Sequence, residues 1–130
     1  MTSPRPESPR ILVVDDEPVV RRFAARVLEA EGFLVAEAGD GVDALRLLHE
    51  ELTEVDAVIS DIVMPRLNGV ELLQVLSTTH PQLPVLLMSG YAHAQLEGMG
   101  IAPPCAILTK PFAAERLVEE VRRCLRGAEV

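Results

Sequence analysis

The sequence predicts an α/β domain built on a doubly wound parallel sheet of five strands, (βα)5 in order. Three observations lead there. Five short runs, ILVV at 11–14, FLVAEA at 33–38, DAVIS at 56–60, PVLLM at 84–88 and CAILT at 105–109, are apolar almost throughout, as strands covered on both faces must be. Stretches with helical spacing of apolar residues separate them. The 130 residues suffice for one such domain and are short for two, and 48% hydrophobic residues against 25% charged supports a sizeable core.

Each element follows from its own residues. After ILVV and DDEP, residues Val20, Phe23, Ala24, Val27 and Leu28 share one helical face, and Gly32 ends that helix. Asp40 caps a second helix, expected to bury Val42, Leu45, Leu48 and Leu52. Beyond the PRLNG turn, Val70, Leu73 and Leu76 align on a third helix, which THPQLP breaks. AHAQLEGMGIA at 92–102 holds two glycines and a weak period, so a short or frayed helix is expected there. The last helix is expected from 113 to about 125, burying Ala114, Leu117, Val118, Val121 and Leu125. Residues 1–9, with three prolines, read as a tail or linker remnant, 10–126 as the domain and 127–130 as a C-terminal tail.

Composition narrows the function. A net charge of -8 gives the chain an overall field that disfavours nucleic acid. No apolar run approaches the roughly 20 residues of a membrane span, and MTSPRPESPR lacks the apolar core of a signal peptide, so a cytoplasmic location is expected. Cys105 and Cys124 have no CxxC spacing, and each is read as a buried small hydrophobe rather than a disulfide partner or metal ligand. His49, His80 and His93 are scattered, with no ligand spacing among them.

The polar residues fall in a pattern. Asp15 and Asp16 follow the first strand, Asp61 the third, Ser89 the fourth and Lys110 the fifth, which gathers all five at the carboxyl edge where open parallel sheets place their sites. Three carboxylates without a cation would repel, and each would resist ionising. A hard divalent ion such as Mg2+, held by carboxylates, water and phosphate oxygens, relieves that repulsion. Lys110 offers a compact positive charge for a phosphoryl oxygen, and Ser89 a hydroxyl for a second one. The set describes a carboxylate that accepts a phosphoryl group while cationic groups neutralise the charge on its equatorial oxygens. Asp61 stands alone at a strand end and suits the nucleophile; the Asp15 and Asp16 pair suits metal. Singly, each has an ordinary reading: a turn cap for Asp61, a helix start for DDEP, a loop serine, a surface lysine.

VVDDEP, SDIVMPRLNG, MSG at 88–90 and LTKPF at 108–112, in this order, resemble the receiver domain of two-component response regulators and hybrid histidine kinases, over about residues 10–126. The resemblance implies a CheY-like, flavodoxin-like sheet of strand order 2-1-3-4-5. It further implies that Asp61 accepts a phosphoryl group from a phosphohistidine, that Asp16 binds Mg2+ directly and Asp15 largely through water, and that the Val63 backbone carbonyl completes the protein's share of the shell. Ser89 and Lys110 would contact phosphoryl oxygens, with Ser89 moving toward them on activation and a cis Lys110–Pro111 bond orienting the lysine. Implied partners are a histidine kinase or histidine phosphotransfer protein, and on the switching surface a second copy or a downstream protein. Two departures stand out. Ile107 occupies the place of the family's switching aromatic, and APPCA, with Pro103 and Pro104, replaces the usual glycine-alanine approach to the last strand. Tyr91, two residues after Ser89, could fill part of the switching role, although MSGY reads more simply as a loop aromatic packed at the surface near the mouth of the site.

Two competing functions are weaker. A small metal-dependent aspartyl-phosphate phosphatase should carry a second acid two residues after its nucleophile, where this chain has Val63, and an insertion to enclose substrate. A pseudo-receiver adaptor, which uses the fold without phosphorylation, has no physical reason to keep mutually repelling acids.

Overall fold

The computed structural model describes residues 8–51, 54–90 and 104–128. Alternation along the strands sets its architecture. In β1 (Arg10–Val14), Ile11 and Val13 enter one core while Leu12 and Val14 enter another, because successive side chains of a strand point to opposite faces. β2 (Leu34–Ala38) and β3 (Ala57–Asp61) flank β1, and β4 (Val85–Ser89) and β5 (Ala106–Thr109) extend the sheet beyond β3. Every pairing is parallel, in the order β2-β1-β3-β4-β5, as the resemblance implied. The chain goes from β1 to β2 on one side and then to β3 on the other, and this reversal of strand order opens a crevice at the carboxyl ends of β1 and β3.

Helices α1 (Pro18–Ala30) and α4 (Ala114–Ala128) cover the first core, contributing Ala24, Leu28, Leu117 and Val121. Helices α2 (Gly41–Glu50) and α3 (Gly69–Thr79) cover the second with Ala44, Leu48, Leu72, Leu73 and Leu76. Each starts where its sequence dictates. Pro18 opens α1 at a position whose N–H has no helical partner anyway. The Asp40 side chain accepts from the Asp43 N–H at α2, and Asn68 with Glu71 forms a reciprocal capping box at α3.

Several expectations are corrected. Phe23 is 46% exposed, because it leans along the flank of α1 toward Phe112, ring centroids 6.1 Å apart, instead of into the core. Val42 is 42% exposed: the buried stripe of α2 runs through Gly41, Ala44 and Leu48, and Val42 lies about 100° round the helix from Gly41. Val20, Leu45, Ala114 and Leu125 are half-buried, and α4 continues to Ala128, past the expected end. Cys105 and Cys124 are joined in a disulfide, Cα atoms 5.6 Å apart, where two independent thiols were expected. The reason is tertiary. The Cys105 N–H donates to the Val85 carbonyl at the start of β5, and α4 packs across that strand end with Cys124 on its buried face, so the fold supplies the proximity that sequence spacing does not. The stretch expected as a short helix at 92–102, with His93, and Leu52 and Pro103 lie outside the described residues.

Candidate functional site

The carboxyl edge of β1 and β3 carries the site. Beyond Val14 the chain is still pinned to the sheet, since the Asp15 N–H donates to the Ala38 carbonyl at 3.1 Å. Asp15 is fully buried there. Its Oδ1 accepts from the Glu17 N–H at 2.9 Å, its Oδ2 accepts from Lys110 Nζ at 3.2 Å, and its own carbonyl accepts from the Arg21 guanidinium at 2.8 Å. Asp16 is exposed at the mouth.

Asp61 is the last residue of β3 rather than the residue after it, and is 6% exposed. Two bonds brace its neighbour: the Ile62 N–H donates to Met88 O at 3.1 Å, and the Gly69 N–H to Ile62 O at 2.9 Å. Gly69 must come this close. A Cβ on it would stand 2.2 Å from the Asp61 carbonyl oxygen and 2.9 Å from Ile62 Cα, so α3 can begin against the strand end only because the residue has no side chain. Ser89 likewise ends β4, buried, and its carbonyl accepts from the Lys110 N–H at 2.8 Å. The Lys110–Pro111 bond is cis.

These supports bring the side chains together. One carboxylate oxygen from each of Asp15, Asp16 and Asp61 lies within 4.8 Å of the others, and Lys110 Nζ stands 3.3 Å from Asp61 Oδ1. Burial raises the Asp61 pKa and the Asp15 charge adds to that, against the opposing pull of Lys110. Burial also works against the Lys110 charge, yet the carboxylates of Asp15 and Asp61 outweigh it and hold the ammonium above the ordinary lysine value. The result is an all-oxygen, over-acidic cluster with one fixed cation, a donor set able to coordinate a hard divalent metal ion.

Other expected residues are placed as follows. Val63, in the loop after β3, is 60% exposed. Ile107 is half-buried on β5, paired with Leu87 of β4. Tyr91 lies outside the described residues. His49 and His80 are exposed. Sequence reasoning missed Arg66, which reaches from the PRLNG turn to Asp40 with 2.8 Å and 2.5 Å bonds from Nε and a terminal nitrogen. It also missed Arg21, which ties Asp15 O to Glu37. A partner 26 residues away leaves no periodic signal in a sequence. Among the described residues no helix is long and apolar enough to cross a membrane.

Known proteins with this arrangement are plain. The chain is 40% identical over 118 residues to the response regulator MprA of Mycobacterium sp. (strain KMS), covering 90% of this chain and 50% of that protein. It is 39% identical over 119 residues to the sensor kinase CckA of Brucella abortus (strain 2308), covering 91% of this chain and 13% of the kinase. The chain thus spans about half the length of the one relative and a small part of the other. Among solved structures, the signal receiver domain of an HD domain-containing protein from Pseudomonas fluorescens Pf-5 superposes with a TM-score of 0.86 at 26% identity, covering 95% of this chain and 98% of that one. The receiver domain of the hybrid histidine kinase CckA does so with a TM-score of 0.73 at 38% identity, covering 89% and 98%. Residues 11–122 match the family described as response regulator receiver domain. The chain therefore belongs to the receiver domains of two-component systems, phosphoacceptor modules of phosphorelay signalling, and it carries the acid cluster that such a module needs.

Proposed function

We propose that Asp61 is the phosphoacceptor, that Mg2+ is the ion its cluster holds, and that the donor is a phosphohistidine on a histidine kinase or a histidine phosphotransfer protein. The observation that carries this reading is the Asp61 carboxylate, isolated at a strand end within 4.8 Å of Asp15 and Asp16 oxygens and 3.3 Å from Lys110 Nζ. In the transfer an Asp61 carboxylate oxygen forms a bond to phosphorus as the phosphorus–nitrogen bond of the donor breaks, and its electron pair stays on the imidazole. Asp15, Asp16 and Asp61, with the Val63 carbonyl, would hold the ion, which when bound supplies positive charge against the transferring oxygens.

The remaining work belongs to the chain. Lys110 holds its proton firmly and sits between Asp15 and Asp61, so it can turn from those carboxylates to a phosphoryl oxygen as charge moves there. Ser89 ends the neighbouring strand and offers its hydroxyl to another oxygen. Ile107, without an aromatic lever, makes a smaller outward change at β5 when Ser89 moves. Beside the mouth, Val19 is 82% exposed and Phe23 contacts Phe112, two residues after Lys110, which supports a partner that lands on α1 and the loop before α4.

The test uses acetyl phosphate and Mg2+ with intact-mass measurement of wild type and D61N. Wild type should gain one phosphoryl adduct, labile to hydroxylamine as an acyl phosphate is, and D61N none. An adduct that persists at full level in D61N sinks the assignment.

A further inference from the structure

The seven residues between Asp61 and the start of α3 contain a backbone conformation that asks for an explanation. Arg66 has φ 66°, in the left-handed region that favours glycine, and the Leu67 N–H donates to the Pro65 carbonyl at 2.7 Å across it. A bond spanning three residues with a positive φ at the centre is the rarer and strained form of γ-turn. Such conformations persist where surrounding structure over-determines them. Here the surroundings are visible. The Arg66 guanidinium donates through two nitrogens to Asp40 Oδ2, while Asp40 Oδ1 accepts from the Asp43 N–H. One residue on, the Gly41 N–H donates to Leu67 O at 3.2 Å, and a Cβ on Gly41 would stand 2.5 Å from that oxygen. The loop is therefore clamped to the N-terminus of α2 at the strained residue and at the one after it.

That clamp is connected to the acid cluster at both ends. Asp40 is two residues past Ala38, whose carbonyl receives the Asp15 N–H. Arg66 is three residues past Val63 and five past Asp61. Asp40 is 8% exposed, so its charge needs the guanidinium as partner, and an exposed arginine with no other role would gain little by fixing so many rotors.

We propose that Arg66 and Asp40 are a positioning pair: anchored on Asp40, Arg66 holds the turn after the phosphoacceptor so that the Val63 carbonyl and the Asp61 carboxylate address the same ion. The pair touches neither phosphoryl group nor metal. It acts on the loop, and it rests on the reading of the cluster as a Mg2+ site given above. Its signature is metal affinity in a folded protein, which a pair serving stability alone would leave unchanged.

The experiment is a calorimetric Mg2+ titration of wild type, D40N, R66A, R66G, R66K and D40N/R66A, with thermal melts to show that each is folded. D40N keeps the cap on Asp43, and R66G accepts the positive φ without strain, so both separate the ion pair from local folding. D40N and R66A should each weaken Mg2+ binding by about tenfold, the scale seen when groups that orient metal ligands are removed. The double variant should be no weaker than R66A, and R66K should recover part of the loss. Amides of residues 62–68 should exchange faster in R66G than in wild type. Affinity in folded D40N and R66G within about twofold of wild type, inside ordinary additivity error, overturns the pairing, as does a double variant whose losses add. A wild type that binds no Mg2+ overturns the metal assignment and the pairing together, whereas a phosphoryl adduct on D61N overturns the acceptor assignment and leaves the pairing standing.

Discussion

Replacing Gly69 by alanine should damage both stability and phosphorylation, for one geometric reason. The new Cβ would meet the Asp61 carbonyl oxygen at 2.2 Å, Ile62 Cα at 2.9 Å and the Asp61 carbonyl carbon at 3.0 Å. Ordinary contact begins near 3.4 Å, so relief needs a shift of about 1 Å, and all three atoms are backbone. Overpacking of this kind costs roughly 1–3 kcal/mol, and with no side chain free to yield the upper part of that range, about 2–3 kcal/mol, applies. Unfolding entropy of about 2.1 cal/mol/K per residue over 130 residues then gives a fall in Tm of about 7–11 °C. The shift falls on Asp61, the proposed phosphoacceptor. A misplacement of about 1 Å at a reacting group is worth up to about a hundredfold in rate, so G69A should take phosphoryl groups from acetyl phosphate at least about tenfold more slowly at a temperature where it is fully folded. Calorimetric melts and initial rates of adduct formation read both effects. Gly90→Ala and Gly127→Ala serve as controls, since a Cβ at either meets nothing within 4 Å. A G69A protein that melts within about 2 °C of wild type, or that keeps its rate, refutes the reasoning.

Two further outcomes are expected. The Cys105–Cys124 bridge spans 19 residues, and a loop of that length contributes about 3 kcal/mol in the chain-entropy account, so C105S/C124S or added reductant should lower Tm by about 10 °C; melts that coincide with and without reductant speak against it. Burial works against the Asp40 charge, but the Asp43 N–H and the Arg66 guanidinium outweigh it and hold the carboxyl below its ordinary 3.8. A carboxyl depressed on folding stabilises above its unfolded value and loses that contribution as pH falls through its folded one. The stability gap between wild type and D40N in urea should therefore be constant from neutral pH down to the ordinary value and shrink below it; a gap that widens in acid reverses the sign.

Much of the site was legible because it rests on two signals that survive in one dimension. A run such as DAVIS declares a strand buried on both faces, and a polar residue at the end of such a run is placed at the sheet's carboxyl edge whatever the loops do. Asp15, Asp16, Asp61, Ser89 and Lys110 were found that way, and the structure gathers the acids and the lysine in one place. Strand ends were off by a residue, since DAVIS stops at Ser60 while the ladder pairs Asp61 with Met88. What could not be read depends on contacts between elements. Phe23 fits the apolar spacing of α1 but finds Phe112 at the helix flank. Cys105 and Cys124 have no motif spacing because their meeting is made by α4 lying over the start of β5. Arg66 looked like an ordinary turn residue, and only the fold shows Asp40 beneath it.

The lysine that completes the site lies 95 residues along the chain from the aspartate it touches, and it follows the last strand of the sheet. No shorter stretch of the polypeptide contains the chemistry. On a ribosome, a growing chain holds every acid of the cluster well before it holds Lys110, which follows the edge strand β5. On the proposed reading, acceptance of a phosphoryl group therefore doubles as a report that the last strand of the five-stranded sheet is in place.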